Sequence, residues 1–359
     1  MLHEQRFELS PSSLGDVRQW VRDCCADCSA GDQIDVDMVE IALGEILQNI
    51  LRYAYDGSGP VTVRVTDLQE GIGVSVTDYA PPSDWKQWNT SKDLTKGGMG
   101  LSMIANAVDA FSFRPLDEGN RASIYFFPSH QELDSRALLW IGELLDARLL
   151  KDPFERWALW ALPDPDPWFS VLLKRSIELI ERYEKRATRV HEYHNIDHFR
   201  DVLVTVVHLI QNDASPTLSR PEKCALILAA ILHDYAHPGG VAAYPGEFEE
   251  KTLALITDAS LAAELDKAAE DILTQTFVLI ASTSPTFFLA DSTGLELLFN
   301  EADIAPSLIP WFGLQQATAL QQELGDKSDP MAFYNRFRRS QRVKSVATTP
   351  WLRLYRSAL

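Results

Sequence analysis

Cysteine is scarce in this sequence, with four residues among 359. So few cysteines in a long chain exclude a fold held together by disulfide bonds. Cys24, Cys25 and Cys28 fall within one predicted helix, and Cys25 and Cys28 have the spacing of half a zinc site. Because no second pair of cysteines exists, we favour a structural role over metal binding. The sequence predicts a protein that works in a reducing compartment.

Long apolar runs are also missing. The longest, Ala225–Leu232, is far shorter than the ~20 residues that a membrane-spanning helix needs. The first residues, Met1 to Glu8, lack the basic stretch and apolar run of a secretory signal peptide. Both absences predict a soluble, cytoplasmic protein with no membrane partner.

Basic residues are outnumbered, because 33 Lys and Arg stand against 51 Asp and Glu, giving a net charge of −18. The acidic excess is divided evenly between the first 130 residues and the rest. Nucleic-acid backbones are bound through clustered Lys and Arg. The charge balance therefore excludes a nucleic acid as partner of either half.

The length predicts two domains, because one domain takes roughly 150 residues. Strand signals end near residue 131, so we place an N-terminal domain at residues 1–131 and an all-helical C-terminal domain at residues 132–359. The first domain alternates helices with strands, which favours an α/β two-layer sandwich. Its predicted strands are Arg6–Leu9, Val61–Val65, Gly73–Thr77, Phe111–Arg114 and Arg121–Phe127, and its predicted helices are Leu14–Cys28, Val36–Tyr55 and Gly97–Ala110.

Six of the eight histidines lie between residues 191 and 237. His194 and His198 are four residues apart and share a face if the segment is helical. His233 and Asp234 end an apolar helical run, where burying unpaired polar groups is costly. Imidazole and carboxylate form a ligand set for zinc, iron or manganese, and Asp303 follows another apolar helix. The alternative is a set of core histidines that are satisfied by hydrogen bonds.

Three ordered motifs carry these residues: Tyr193-His-Asn-Ile-Asp-His198, His233-Asp-Tyr-Ala-His-Pro-Gly239 and Ala302-Asp-Ile304. Together they resemble the catalytic domain of class I 3′,5′-cyclic nucleotide phosphodiesterases over roughly residues 170–355. The resemblance implies a dimetal site with zinc first and Mg²⁺ or Mn²⁺ second. Asp234 would bridge both ions, and His237 would support the water shell of the second. The implied ligands of the first ion are His198, His233, Asp234 and Asp303.

The same resemblance implies the chemistry. A hydroxide on the two metal ions would attack phosphorus, and His194 would protonate the departing 3′ oxygen. The product would be a nucleoside 5′-monophosphate. Gln341 stands in the stretch that resembles the base-reading segment, while Lys344 occupies the place of an aromatic clamp. The choice between cyclic AMP and cyclic GMP stays open.

The first domain holds three motifs that suit a nucleotide. Glu45 and Asn49 are one helical turn apart and can hold Mg²⁺ against phosphates, although two exposed polar residues are the simpler interpretation of this pair alone. Asp78 ends a predicted strand, where its carboxylate could accept the amino group of adenine. Gly97-Gly-Met-Gly100 opens a helix, where free backbone N–H groups favour phosphate.

In this order the motifs resemble the GHKL (Bergerat) ATP-binding domain, especially bacterial anti-sigma-factor serine kinases, over residues 5–128. The resemblance implies ATP with Mg²⁺ bound by Asn49, adenine read by Asp78, and phosphates flanked by Gly98 and Gly100. Glu45 would be the base for serine phosphorylation. Ala80 stands where the family has a glycine. The implied partner is a sigma factor or an anti-anti-sigma protein. Whether the protein forms a homodimer is left open.

The leading hypothesis is a multidomain α+β signalling enzyme of bacteria. A C-terminal His-Asp metallohydrolase domain would hydrolyse a cyclic nucleotide, and the N-terminal module would bind ATP or a protein and regulate it. A second hypothesis is a partner-switching binder or serine kinase with a degenerate phosphodiesterase domain. A third is a phosphohydrolase of the wider His-Asp superfamily that acts on noncyclic nucleotides, although the Tyr193 to His198 motif favours a cyclic diester.

Overall fold

The computed structural model describes residues 1–68, 71–82, 103–104, 106–128, 135–186, 191–212, 218–284 and 294–344. The chain divides into two compact units, Met1–Asp146 and Ala147–Leu359. The division falls inside a helix that spans Ser135–Leu150, which is C-terminal to the predicted boundary after residue 131.

An antiparallel sheet of five strands forms the centre of the first unit. The strands are β1 Leu2–Leu9, β2 Gly59–Leu68, β3 Gly71–Asp78, β4 Ala110–Pro115 and β5 Asn120–Phe126. The spatial order is β1-β2-β3-β5-β4, so the last hairpin adds β5 beside β3 and leaves β4 at an edge. Alternate side chains of a strand face the same side, and Val61, Val63 and Val65 of β2 are all fully buried.

Two helices pack on the apolar face of this sheet, α1 Leu14–Ala26 and α2 Val36–Asn49. The Asp35 side chain caps α2 by accepting a hydrogen bond from the backbone N–H of Asp37. The prediction of one helix from Val36 through Tyr55 is wrong at its end, since a π-helical turn spans Ile50–Ala54. The apolar pattern continues through that turn, so it does not reveal that the backbone changes there from an α-helix to the wider π-helix.

The other face of β4 and β5 is contacted by α3, Ser135–Leu150, through Gly142 and Asp146. The hydroxyl groups of Ser112 and Tyr125 both donate hydrogen bonds to the carboxylate of Asp146. A side chain at Gly142 would overlap the backbone of Phe111, so the helix lies directly on the strand. Asp146 therefore belongs to the first unit although strand signals end before it.

The second unit is helical throughout the part that is described. The helices after α3 are α4 Phe154–Ala161, α5 Pro167–Arg186, α6 Ile196–Asn212, α7 Arg220–Leu232, α8 Glu247–Asp258, α9 Lys267–Ser282, α10 Gly294–Ile304, α11 Pro310–Leu324 and α12 Pro330–Lys344. Helix α7 is the centre of the unit, because every residue from Cys224 to Leu232 is buried among α5, α6 and α9. This confirms the predicted multidomain α+β class with an all-helical C-terminal part. No helix in the described residues is long and apolar enough to cross a membrane.

Candidate functional site

Helix ends in the second unit carry the predicted metal ligands. His198 lies in the first turn of α6, where the Asn195 side chain accepts a hydrogen bond from the backbone N–H of His198 at 3.3 Å. His233 and Asp234 directly follow α7, and Asp303 lies in the last turn of α10. Side chains at helix ends can turn towards a common point without breaking the packing of the helices.

The structure brings these four side chains together. The Nε2 atoms of His198 and His233 are 3.2 Å apart. Asp234 Oδ2 lies 3.3 Å from the Nε2 of His198 and 3.2 Å from that of His233. Asp303 Oδ1 lies 3.4 Å and 3.6 Å from the same two nitrogens. Four potential ligand atoms from three helix ends therefore face one point.

These distances fit one metal ion. Two ligand atoms each about 2.1 Å from zinc are about 3.4 Å apart at a tetrahedral angle. The Nδ1 atom of His233 lies 3.2 Å from the carbonyl oxygen of Ala230, to which it can donate its hydrogen. The Nε2 lone pair of His233 then faces the carboxylates, as a ligand requires. His198, His233, Asp234 and Asp303 are the residues that could hold the ion.

The electrostatics of the four residues point the same way. Burial alone would raise the pKa of Asp234, but the imidazoles of His233 and His198 lower it well below its usual value. Burial would lower the pKa of His198, and the two carboxylates instead raise it to about 10. Two carboxylates that both lie beside the same two imidazole nitrogens favour a positive charge at that point, whether protons or a cation.

His194 lies beside this cluster and is held by a carboxylate. Its Nδ1 is 2.5 Å from Glu323 Oε1, and Glu323 Oε2 accepts hydrogen bonds from the backbone N–H groups of Tyr193 and His194 at 3.0 and 3.2 Å. The Nε2 of His194 is 4.0 Å from Asp234 Oδ2. The ring therefore points its free nitrogen towards the ligand cluster.

His237 stacks on His194, with ring centroids 3.6 Å apart and planes inclined by 21°. Its Nδ1 accepts a hydrogen bond from the backbone N–H of Gly239 at 3.1 Å. Burial lowers the pKa of His237 to about 4. Burial therefore favours the neutral form of the His237 ring.

Asp234 is common to two groups of possible ligands among the described residues. One group joins it to His198 and His233, the other to His194 and His237, and in each the ligand atoms lie within 4.8 Å of one another. Its side chain is 19% exposed, whereas His198 and His233 are buried. Asp234 is thus shared by both groups and is partly open to solvent.

Sequence reasoning missed Glu323, which lies at the end of α11. Its side chain is only 1% exposed. Because Glu323 is 129 positions from His194 in the sequence, no local motif contains both residues. One signal was available: a carboxylate in the last turn of a helix opposes the helix dipole and suggests another interaction.

The candidate ATP site lies in the first unit. Glu45 and Asn49 are half-buried on α2, and Asn49 directly precedes the π-helical turn. Such turns recur at functional sites. Asp78 ends β3 and is 4% exposed, and its Oδ1 accepts hydrogen bonds from Asn120 Nδ2 and the backbone N–H of Ala80, both at 3.0 Å. Burial raises the pKa of Asp78.

Three predicted site residues are not placed. Gly98 and Gly100 lie outside the described residues, as does half of the predicted helix Gly97–Ala110. Gln341 lies in α12, but its side chain is outside the described part.

Comparisons with known proteins match both units. Residues 7–126 match the family described as histidine kinase-like ATPase domain, and residues 193–280 match the 3′5′-cyclic nucleotide phosphodiesterase family. The second match includes the segment from His194 to His237 and ends before Asp303. The serine-protein kinase RsbW of Halalkalibacterium halodurans is 25% identical over 112 residues, which are 28% of this chain and 68% of that protein. The chain thus carries an N-terminal segment that is similar to the histidine kinase-like ATPase domain and, after it, a segment that is similar to the 3′5′-cyclic nucleotide phosphodiesterase family.

Proposed function

We propose that the protein hydrolyses a 3′,5′-cyclic nucleotide, cyclic AMP or cyclic GMP, to the 5′-monophosphate. The observation that carries this proposal is the convergence of His198, His233, Asp234 and Asp303 on one point. Zn²⁺ would be held by these four residues, and Mg²⁺ or Mn²⁺ by Asp234. Bound ions would supply hydroxide near neutral pH by lowering the pKa of water.

His194 is the proposed proton donor. The hydrogen on Nδ1 is directed at Glu323, which leaves Nε2 to give its proton to the departing 3′ oxygen. Histidine is the side chain most often used for such transfers. After the transfer the ring is neutral and still donates to Glu323, so its orientation is unchanged. Gln341 is the proposed contact to the base.

The proposed role of the first unit is to bind ATP with Mg²⁺ and regulate the hydrolysis. Asn49 would bind the Mg²⁺, Asp78 the adenine, and Gly98 and Gly100 the phosphates. The buried carboxylate of Asp78, fixed by Asn120 and Ala80, supports this assignment. Glu45 is the proposed base if the unit phosphorylates a serine.

Hydrolysis is tested with the purified full chain, Zn²⁺ and either Mg²⁺ or Mn²⁺, on cyclic AMP and cyclic GMP. We expect turnover that Asp234→Ala lowers at least about a hundredfold, because the shared ligand is lost. Asp271→Ala is the matched control, since Asp271 is exposed on α9. Turnover that persists in Asp234→Ala, or that Asp271→Ala lowers equally, contradicts the proposal.

ATP binding is tested with the same chain by titration with ATP and Mg²⁺. We expect Asn49→Ala to weaken binding at least about tenfold, because a Mg²⁺ ligand is removed. Gln48→Ala changes the exposed neighbouring residue and should leave binding unchanged. If ATP regulates the hydrolysis, the effect of ATP on turnover should also disappear in Asn49→Ala and persist in Gln48→Ala.

A second candidate function is a partner-switching binder or serine kinase with an inactive hydrolase domain. The similarity of the first unit to a serine-protein kinase favours it. The partner would be a sigma factor or an anti-anti-sigma protein, bound by a monomer or a homodimer. This candidate predicts co-purification with such a protein and no hydrolysis of cyclic nucleotides under any metal condition.

A further inference from the structure

A groove in the second unit is lined by none of the residues assigned above. It has a volume of about 320 Å³, at the small end of the range for sites of organic ligands. Its walls come from the last turns of α5, from the residue after Asp234, and from the segment after α8. Leu179, Ala259 and Leu261 form its apolar part.

Two arginines stand on one side of the groove. Arg182 and Arg186 are four residues apart on α5, so they share a face of the helix. Arg182 Nε donates a hydrogen bond to the carbonyl oxygen of Glu178 at 3.0 Å. Within the described ranges neither guanidinium is paired with a carboxylate. In a chain with a net charge of −18, two such arginines at one groove are available to an anionic ligand.

Two tyrosines stand beside them. The rings of Tyr183 and Tyr235 meet edge to face, with centroids 5.6 Å apart and planes inclined by 66°. Both side chains are half-buried. Tyrosine faces hold planar rings, and the phenol can donate a hydrogen bond.

The geometry points to a binding site for a small aromatic phosphate, with the ring against Tyr183 or Tyr235 and the phosphate between Arg182 and Arg186. A nucleoside monophosphate has both parts. Adenosine has only the ring and inorganic phosphate has only the anion, so both should bind more weakly than the intact molecule. This site requires no metal, and its existence does not depend on the proposed hydrolysis.

Equilibrium dialysis of labelled adenosine 5′-monophosphate against the full chain, in a chelator, tests the site. We expect Arg182→Gln/Arg186→Gln to remove one bound molecule per chain or to weaken that binding at least tenfold. Lys174→Gln/Lys185→Gln removes the same charge from the exposed part of α5 outside the groove and should leave binding unchanged. Adenosine and inorganic phosphate should each compete at least tenfold less well.

A second variant keeps both arginines. Ala259→Trp fills the groove and should remove the same bound molecule. Unfolding in urea shows whether each variant is folded. The proposal is overturned if the unaltered chain binds no adenosine 5′-monophosphate in the chelator, if both groove variants bind as it does, or if adenosine alone competes equally well.

Discussion

At the scale of single residues, Glu323 is the contributor to the candidate site that the sequence did not indicate. One carboxylate oxygen faces the ring of His194 and the other accepts two backbone N–H groups. The convergence of His198, His233, Asp234 and Asp303 was predictable because three motifs contain these residues. Glu323 was not, because its partner lies in another helix and only the folded chain brings them together.

Replacement of Glu323 should change how stability depends on pH. Burial alone would raise the pKa of Glu323, but His194 and the backbone N–H groups lower it from 4.5 to about 2. When folding lowers the pKa of a carboxyl group, its ionised form stabilises the folded protein at pH values above the unfolded-state pKa. This stabilisation is lost as the pH falls through the folded-state pKa, which is about 2 for Glu323. Glu323→Gln should therefore lower the free energy of unfolding by about 3 kcal/mol at pH 7. This difference from the unaltered protein should shrink below pH 4.5.

Urea unfolding between pH 7 and pH 3 measures this difference. Glu155→Gln, at an exposed position of α4, is the control and should follow the unaltered protein at every pH. A difference for Glu323→Gln that is independent of pH would show that shape, and not charge, accounts for the loss.

At the scale of elements, periodicity predicted most helices and strands, because burial repeats every two or about 3.6 residues. The wrong end of the helix from Val36 has a local cause, since apolar residues continue into the π-helical turn Ile50–Ala54. The sequence predicted that β1 begins at Arg6, but the strand begins at Leu2. It is an edge strand with mostly exposed side chains, so pairing with β2 and not burial sets its start.

Helix α7 begins with a capping box whose loss should be measurable. The Ser219 side chain accepts a hydrogen bond from the backbone N–H of Glu222, and the Glu222 side chain accepts one from that of Ser219. Ser219→Ala should lower the free energy of unfolding by about 1 kcal/mol, and Ser219→Thr should keep most of it. Thermal and urea unfolding measure the effect. An equal loss in both variants would contradict a role for the cap.

At the scale of the whole molecule, the sequence predicted two folded parts and the residues that meet in the second. It did not predict that the division of the chain falls inside α3, because Asp146 is joined to the sheet by hydrogen bonds to Ser112 and Tyr125. These contacts connect residues that are distant in sequence and leave no periodic signal.

Metal binding should stabilise the chain if the four converging residues hold an ion. Free Zn²⁺ at a hundredfold excess over its Kd adds about 2.7 kcal/mol. For a unit of this size the melting temperature should rise by roughly 5–10 °C. The melting temperature of each variant with zinc is compared with its own value without metal. The double variant His198→Ala/Asp303→Asn should show no rise, and Asp271→Ala should show the same rise as the unaltered chain. An equal rise in the double variant would place the zinc elsewhere.

The complete burial of α7 has a consequence for motion. Since packed neighbours surround its residues from Cys224 to Leu232, its amide hydrogens should exchange with heavy water only when the second unit opens as a whole. His233 and Asp234 directly follow this buried segment. Fraying of nearby loops would therefore leave their spacing intact, so that the site is retained for as long as the unit stays folded.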